Sequence, residues 1–73
     1  MTSSIDLHGV KHQDAEQIIH ENIWRCMSNH IPRLYVITGH SQEMKKIVIN
    51  AVALYNITVV ESMFNPAEMI IDL

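Results

Sequence analysis

The sequence predicts the α/β class, an α+β two-layer sandwich of order βαβαββ in which a four-stranded mixed sheet carries two helices on one face. Three observations predict it. Short period-two or β-branched runs alternate with longer stretches whose apolar residues recur every three or four positions. Two strand-helix-strand passages follow one another, which requires right-handed parallel crossovers, and a short final turn suits an antiparallel return. Finally, 73 residues, 48% of them hydrophobic, fill one core and not two, so residues 1–73 are read as a single domain.

Ile5-Asp6-Leu7-His8 alternates apolar and polar and stops at Gly9, which marks a short strand ending in a turn. Ala15, Ile18, Ile19, Ile23, Cys26 and Met27 then recur at helical spacing, predicting an amphipathic helix over 12–28 with Cys26 and Met27 in the core and Trp24 either at its edge, the favoured placement, or in an exposed patch. Ser28-Asn29-His30 before Pro32 stops that helix, with His30 placed near its dipole. Arg33 to Thr38 reads as a buried strand ended by Gly39. Ser41 is a good N-cap and Glu43 favours the first turn. Met44, Ile47, Val48, Ala51, Leu54 and Tyr55 form the second apolar helical face, and Asn56 closes the helix by tolerating a left-handed conformation. Ile57–Glu61 is the third strand, Asn65-Pro66 a turn, and Glu68–Asp72 the fourth strand.

Five Lys/Arg against eight Asp/Glu leave a net charge of −3, which excludes a polybasic nucleic-acid wrapper but not a local basic cleft. The single cysteine excludes a disulfide-stapled miniprotein and fits a reducing compartment. Met1-Thr2-Ser3-Ser4 lacks the basic and apolar regions of a signal peptide. The longest charge-free stretch, Ile47 to Val60, carries Asn50, Asn56 and Thr58 and falls short of the roughly 18 apolar residues of a membrane span. The expected location is cytoplasmic, with no membrane partner.

Two helices cover one face of the sheet, leaving the other open, and Tyr35 on that open face is placed either to stack a base or to pack across strands. In open α/β sheets, ligands collect beyond the carboxyl ends of parallel strands. Here those ends are Asp6-Leu7-His8-Gly9 and Thr38-Gly39-His40-Ser41, both expected on one edge. Residues two apart on a strand share a face, so Asp6 and His8 project together. A carboxylate that orients an imidazole makes a general base, and Gly9 lets a substrate backbone approach. The plainer alternative is that Asp6 accepts from backbone donors at the strand end and His8 is an exposed turn residue. The second loop leads into a helix N-terminus, where unpaired N–H groups and the dipole form an anion site, with Thr38, His40 and Ser41 as added donors and Lys45 and Lys46 following. Its alternative is an ordinary capped connection. His12, Glu16 and His20 form an exposed stripe, but the two histidines lie roughly 12 Å apart, too far to share a metal ion.

Ile5-Asp6-Leu7-His8-Gly9-Val10, with Asp14-Ala15 after it, resembles the opening signature of the Smr (small MutS-related) domain, an L-D-L-H-G-L run followed by an E-A pair. Val36-Ile37-Thr38-Gly39-His40-Ser41, then Met44-Lys45-Lys46-Ile47-Val48, is similar to the family's second motif in its short form, I-T-G-x-S entering a helix with M-K-x-I-V. Phe64-Asn65-Pro66 also resembles the short Smr-like proteins. In two places the chain departs from the longer pattern. Ser41 stands where a second loop glycine would be, with His40 in place of the base before it, and Lys11 occupies the usual Thr position that would cap the first helix, so that cap must come from elsewhere.

The resemblance implies a nuclease that nicks DNA or cleaves RNA, on a fold similar to the C-terminal domain of translation initiation factor three. It implies Asp6 and His8 as the catalytic pair, with Gly39 and His40 in the second, substrate-contacting loop; Gly9, Lys11, Thr38, Ser41 and Lys45 complete the substrate-binding residues expected around them. His8 would deprotonate a ribose 2′-hydroxyl or a water, while the Gly39 N–H, His40 and the second helix N-terminus would stabilise the phosphate. No metal or other cofactor is expected, since Asp6 is the one carboxylate in either loop, and RNA is favoured over DNA as partner. A non-catalytic nucleic-acid or ribonucleoprotein binding module and a protein-interaction adaptor are the alternatives, and the oligomeric state stays open. A free-standing copy this small is consistent with a compact, virally encoded genome, which would make the compartment the host cytoplasm.

Overall fold

A computed structural model describes residues 2–73. The elements are β1 (Thr2–Asp6), α1 (His12–Ser28), β2 (Arg33–Ile37), α2 (Gln42–Ala53), β3 (Thr58–Glu61) and β4 (Glu68–Asp72), in the expected βαβαββ order. They form a four-stranded sheet in the order β1-β2-β4-β3, with β1 and β2 parallel and β4 antiparallel to both β2 and β3. Inserting β4 between β2 and β3 keeps β1, β2 and β3 pointing the same way. The loops that leave all three strands therefore emerge at one edge of the sheet.

Strand alternation divides the sheet cleanly. Leu34, Val36, Met69 and Ile71 face the helices and are fully or almost fully buried, against Ala15, Ile19, Ile23 and Cys26 of α1 and Met44, Val48, Ala51 and Val52 of α2. Each large apolar side chain so buried contributes about 1.5–3 kcal/mol. On the open face three rows run across the strands: Asp6, Ile37 and Glu68; Ser4, Tyr35, Ile70 and Val60; Thr2, Arg33, Asp72 and Thr58. In the last row the Arg33 Nε lies 2.9 Å from Asp72 Oδ1. The Tyr35 side chain and then Asp72 raise the Arg33 pKa, so the guanidinium stays charged.

Helix ends follow their local chemistry. At the end of α1 the Ile31 N–H donates to the Cys26 carbonyl (2.8 Å) and the His30 N–H to that of Met27 (3.3 Å), with His30 at φ 56°, which is a Schellman closure. Asn56 takes the expected left-handed conformation (φ 55°), in the turn that follows α2. The Ser41 Oγ accepts the Met44 N–H at 3.1 Å, the expected N-cap of α2. At α1 the cap position is Lys11, whose side chain caps nothing, and no other side chain among the described residues replaces it. Lys11→Thr is expected to stabilise the fold by about 0.5–1 kcal/mol, raising Tm by a few degrees in a thermal melt.

The structure corrects several sequence expectations. Polar Thr2-Ser3-Ser4 belongs to β1, because pairing with Arg33–Tyr35 supplies hydrogen bonds that an alternation search cannot see. Cys26 is buried, but Met27 (52% exposed) and Trp24 (66%) lie outside the core. Leu54 is 72% exposed because α2 ends at Ala53, and Val52 and Lys45 take the inward positions.

Candidate functional site

The first loop is held from both sides. Leu7, fully buried, donates its N–H to the Ile37 carbonyl at 2.8 Å and so carries the parallel ladder one residue past Asp6. The Val10 N–H returns to the Leu7 carbonyl at 3.0 Å, closing a four-residue turn with Gly9 at φ 81°. Such a type II turn needs a positive φ at its third residue, which glycine adopts without strain. A Cβ on Gly9 would meet nothing within 4 Å, so this position opens to solvent.

Asp6 and His8 are both exposed, but their contact differs from the expected one. Asp6 Oδ1 accepts the backbone N–H of His8 at 2.8 Å, so the carboxylate holds the turn and not the imidazole. The physical reason is that β1 stops at Asp6, which places His8 in the turn and breaks the strand relation between the two side chains. The His8 ring lies instead against the second loop. A Cβ placed on Gly39 would sit 3.6 Å from His8 Cδ2, and Gly39 itself has φ 68°.

The second loop is tied to the β3–β4 turn. The Thr38 and Gly39 N–H groups both donate to the Ala67 carbonyl, at 2.7 and 3.1 Å, and the buried Thr38 hydroxyl donates within the same cluster. The expected anion donor Gly39 N–H is therefore spent on the protein, and Thr38 is internal. What this loop leaves open is exposed His40, the Ser41 hydroxyl proton and the head of α2. The heads of the two helices are joined directly, with His12 Nδ1 3.1 Å from Glu43 Oε2.

Lys45, expected at the substrate, is only 6% exposed, and its ammonium lies 3.4 Å from Glu61 Oε1. Its aliphatic stem lies along the core side of α2 while its head reaches a carboxylate on β3. Lys11 and Lys46 remain exposed near the loops. The structure thus gathers His8, Gly9, Gly39, His40, Ser41 and Lys11 on one rim. Thr38 sits beneath it, and Lys45 is turned away.

Two features escaped the sequence reading. Glu68 shares an open-face row with Asp6, one strand removed across Ile37, a relation set by the register of β4. His20 is half-buried, its Nδ1 2.7 Å from the Tyr55 hydroxyl and its Nε2 3.4 Å from Glu16, linking α1 to the turn that follows α2. Along the same helix, Gln13, Glu16, Gln17, His20, Glu21 and Trp24 line a shallow concavity of about 630 Å³. One helix alone supplies its lining, whereas small-molecule sites enclose their ligand. Among the described residues no group of three or more His, Cys, Asp or Glu is placed to hold a metal ion.

Fold and rim together define a small α/β domain whose polar loops collect at the carboxyl edge of its parallel strands. The Smr domain family model matches residues 5–62 of the 73, and the chain belongs to the Smr domain family. Comparison with curated proteins found no match, and comparison with solved structures found none. Membership in this family suggests nucleic-acid binding or a nuclease-type function. Among the described residues no helix is long and apolar enough to cross a membrane.

Proposed function

We propose that the protein cleaves nucleic acid, with RNA as the favoured substrate, by acid-base chemistry at His8. The observation that carries this reading is the placement of the His8 ring against Gly39, where an exposed imidazole meets the loop that leads to His40 and the head of α2. In this mechanism His8 takes the proton of a ribose 2′-hydroxyl, and the resulting oxyanion attacks the neighbouring phosphorus. The bond from phosphorus to the 5′ oxygen breaks, and that oxygen is protonated by solvent. His40, Ser41 and the α2 head face the phosphate, with Lys11 as a nearby cation. Neither Thr38, Gly39 N–H nor Lys45 is assigned a contact, because each is already engaged within the fold.

Asp6 acts in this account as a positioning residue, through the His8 amide. Asn offers the same Oδ1 acceptor while removing the charge. Asp6→Ala is therefore expected to lower cleavage about tenfold, the equivalent of one hydrogen bond, and Asp6→Asn to retain most of the activity. Equal loss in both variants, measured as initial cleavage rates, would instead assign Asp6 an electrostatic role on the imidazole.

The same Asp6 contact supports one competing reading. With its carboxylate spent on a backbone amide and a net charge of −3, the rim would serve a non-catalytic binding module. That reading expects salt-sensitive binding of nucleic acid and no turnover.

A further inference from the structure

Met63 and Phe64 are 91% and 95% exposed, although Phe64 is the chain's only phenylalanine. Side chains this open add almost nothing to the core. The segment that carries them is nevertheless built. Ser62 N–H donates to the Glu68 carbonyl (3.1 Å), Glu68 N–H to the Asn65 carbonyl (3.0 Å), and Ala67 N–H to Asn65 Oδ1 (3.1 Å). The Ala67 carbonyl in turn receives the Thr38 and Gly39 amides. The apolar pair is thus displayed on a turn fastened to the loop that adjoins His8. Both residues also fall beyond the span matched by the family model, which ends at residue 62.

Size decides what such a pair can bind. A specific protein interface takes about 800 Å² from each partner, far more than two side chains flanked by Ser62, Asn65 and Pro66 supply. A single ring suffices for a single base, because every base presents a π-face. The β3–β4 turn lies two to three strand spacings, roughly 10–14 Å, from β1. A ring there meets a base flanking the phosphodiester at His8, not the one being cut.

We infer that Phe64, with Met63 beside it, is a stacking platform for one unpaired base of a strand whose phosphate lies on the His8 and His40 rim. The inference rests on the nucleic-acid reading above and narrows it to single-stranded or looped substrates. A base inside a duplex would first have to leave its stack, at a cost the platform must offset.

The test uses a single-stranded RNA carrying one 2-aminopurine, with binding followed by anisotropy and stacking by quenching of the base. Phe64→Ala is expected to weaken binding about 5- to 150-fold and to abolish the quenching, with Tm unchanged. Phe64→Trp is expected to restore both, and Phe64→Leu, which keeps the apolar bulk without the ring, to restore neither. Equal affinity and quenching for wild type and Phe64→Ala would overturn the platform while leaving the nucleic-acid reading standing. Absence of binding by the wild type to any nucleic acid would overturn both. A change in oligomeric state in Phe64→Ala, with RNA affinity unaltered, would make the pair a self-association surface and likewise overturn the platform.

Discussion

His8→Ala is expected to lower cleavage of single-stranded RNA by about 10²–10⁴-fold, the range over which a positioned general base contributes. Folding should not change, because the His8 side chain is exposed and what holds the turn is its backbone N–H, which alanine keeps. The ring lies beside Gly39 of the second loop, where a Cβ would sit 3.6 Å from His8 Cδ2. Matching circular dichroism and thermal midpoints would show that the fold is intact, and the remaining rate would then report on phosphate binding alone. A variant that cleaves as fast as wild type would remove His8 from the chemistry.

Leu7→Ala has the largest expected effect on stability. Leu7 is fully buried and lies between Asp6 and His8, so it joins the core to the site. Removing its branched end costs the lost transfer energy and leaves a cavity, together about 2–5 kcal/mol. Domains of this size have a total stability near the low end of about 5–15 kcal/mol, so a large fraction of the chain should unfold. Urea titration should show a midpoint shifted far down with its slope preserved. Activity should fall with the folded fraction and recover at low temperature or with added ligand. A small shift would mean that the turn is held by its hydrogen bonds and not by this side chain.

Much of the fold was legible because its signals are local. The helical spacing from Ala15 to Cys26 places α1 over His12–Ser28, Ser41 caps α2 through its own hydroxyl, and Asn56 takes the left-handed conformation. What escaped is non-local. Lys45 reads as a surface cation until Glu61, on a distant strand, gives its ammonium a partner. His20 reads as part of a solvated stripe until Tyr55, in the turn after α2, reaches it. The amides of Thr38 and Gly39 read as free until β4 inserts beside β2 and brings the Ala67 carbonyl over them. The site followed the same rule. Sequence spacing brought Asp6 and His8 together, but only the end of β1 at Asp6 shows that the carboxylate meets the amide and not the ring.

The geometry leaves the rim few backbone donors, because the Thr38 and Gly39 amides are bound to the Ala67 carbonyl. In the proposed mechanism exposed His8 and His40, with the hydroxyl proton of the capping Ser41, take the place of the amides that the second loop has committed to the β3–β4 turn. Lys11, uncapping α1 while standing beside the rim, is consistent with that arrangement: its charge is available to a phosphate at the expense of helix stability.

The central claim is tested most directly by incubating the pure wild-type protein with end-labelled single-stranded RNA in EDTA, alongside the DNA strand of the same sequence. The account predicts RNA cleavage that persists in EDTA, with a 2′,3′-cyclic phosphate on the product, and an intact DNA strand. RNA left uncut, or cut only when a divalent metal is restored, would contradict it.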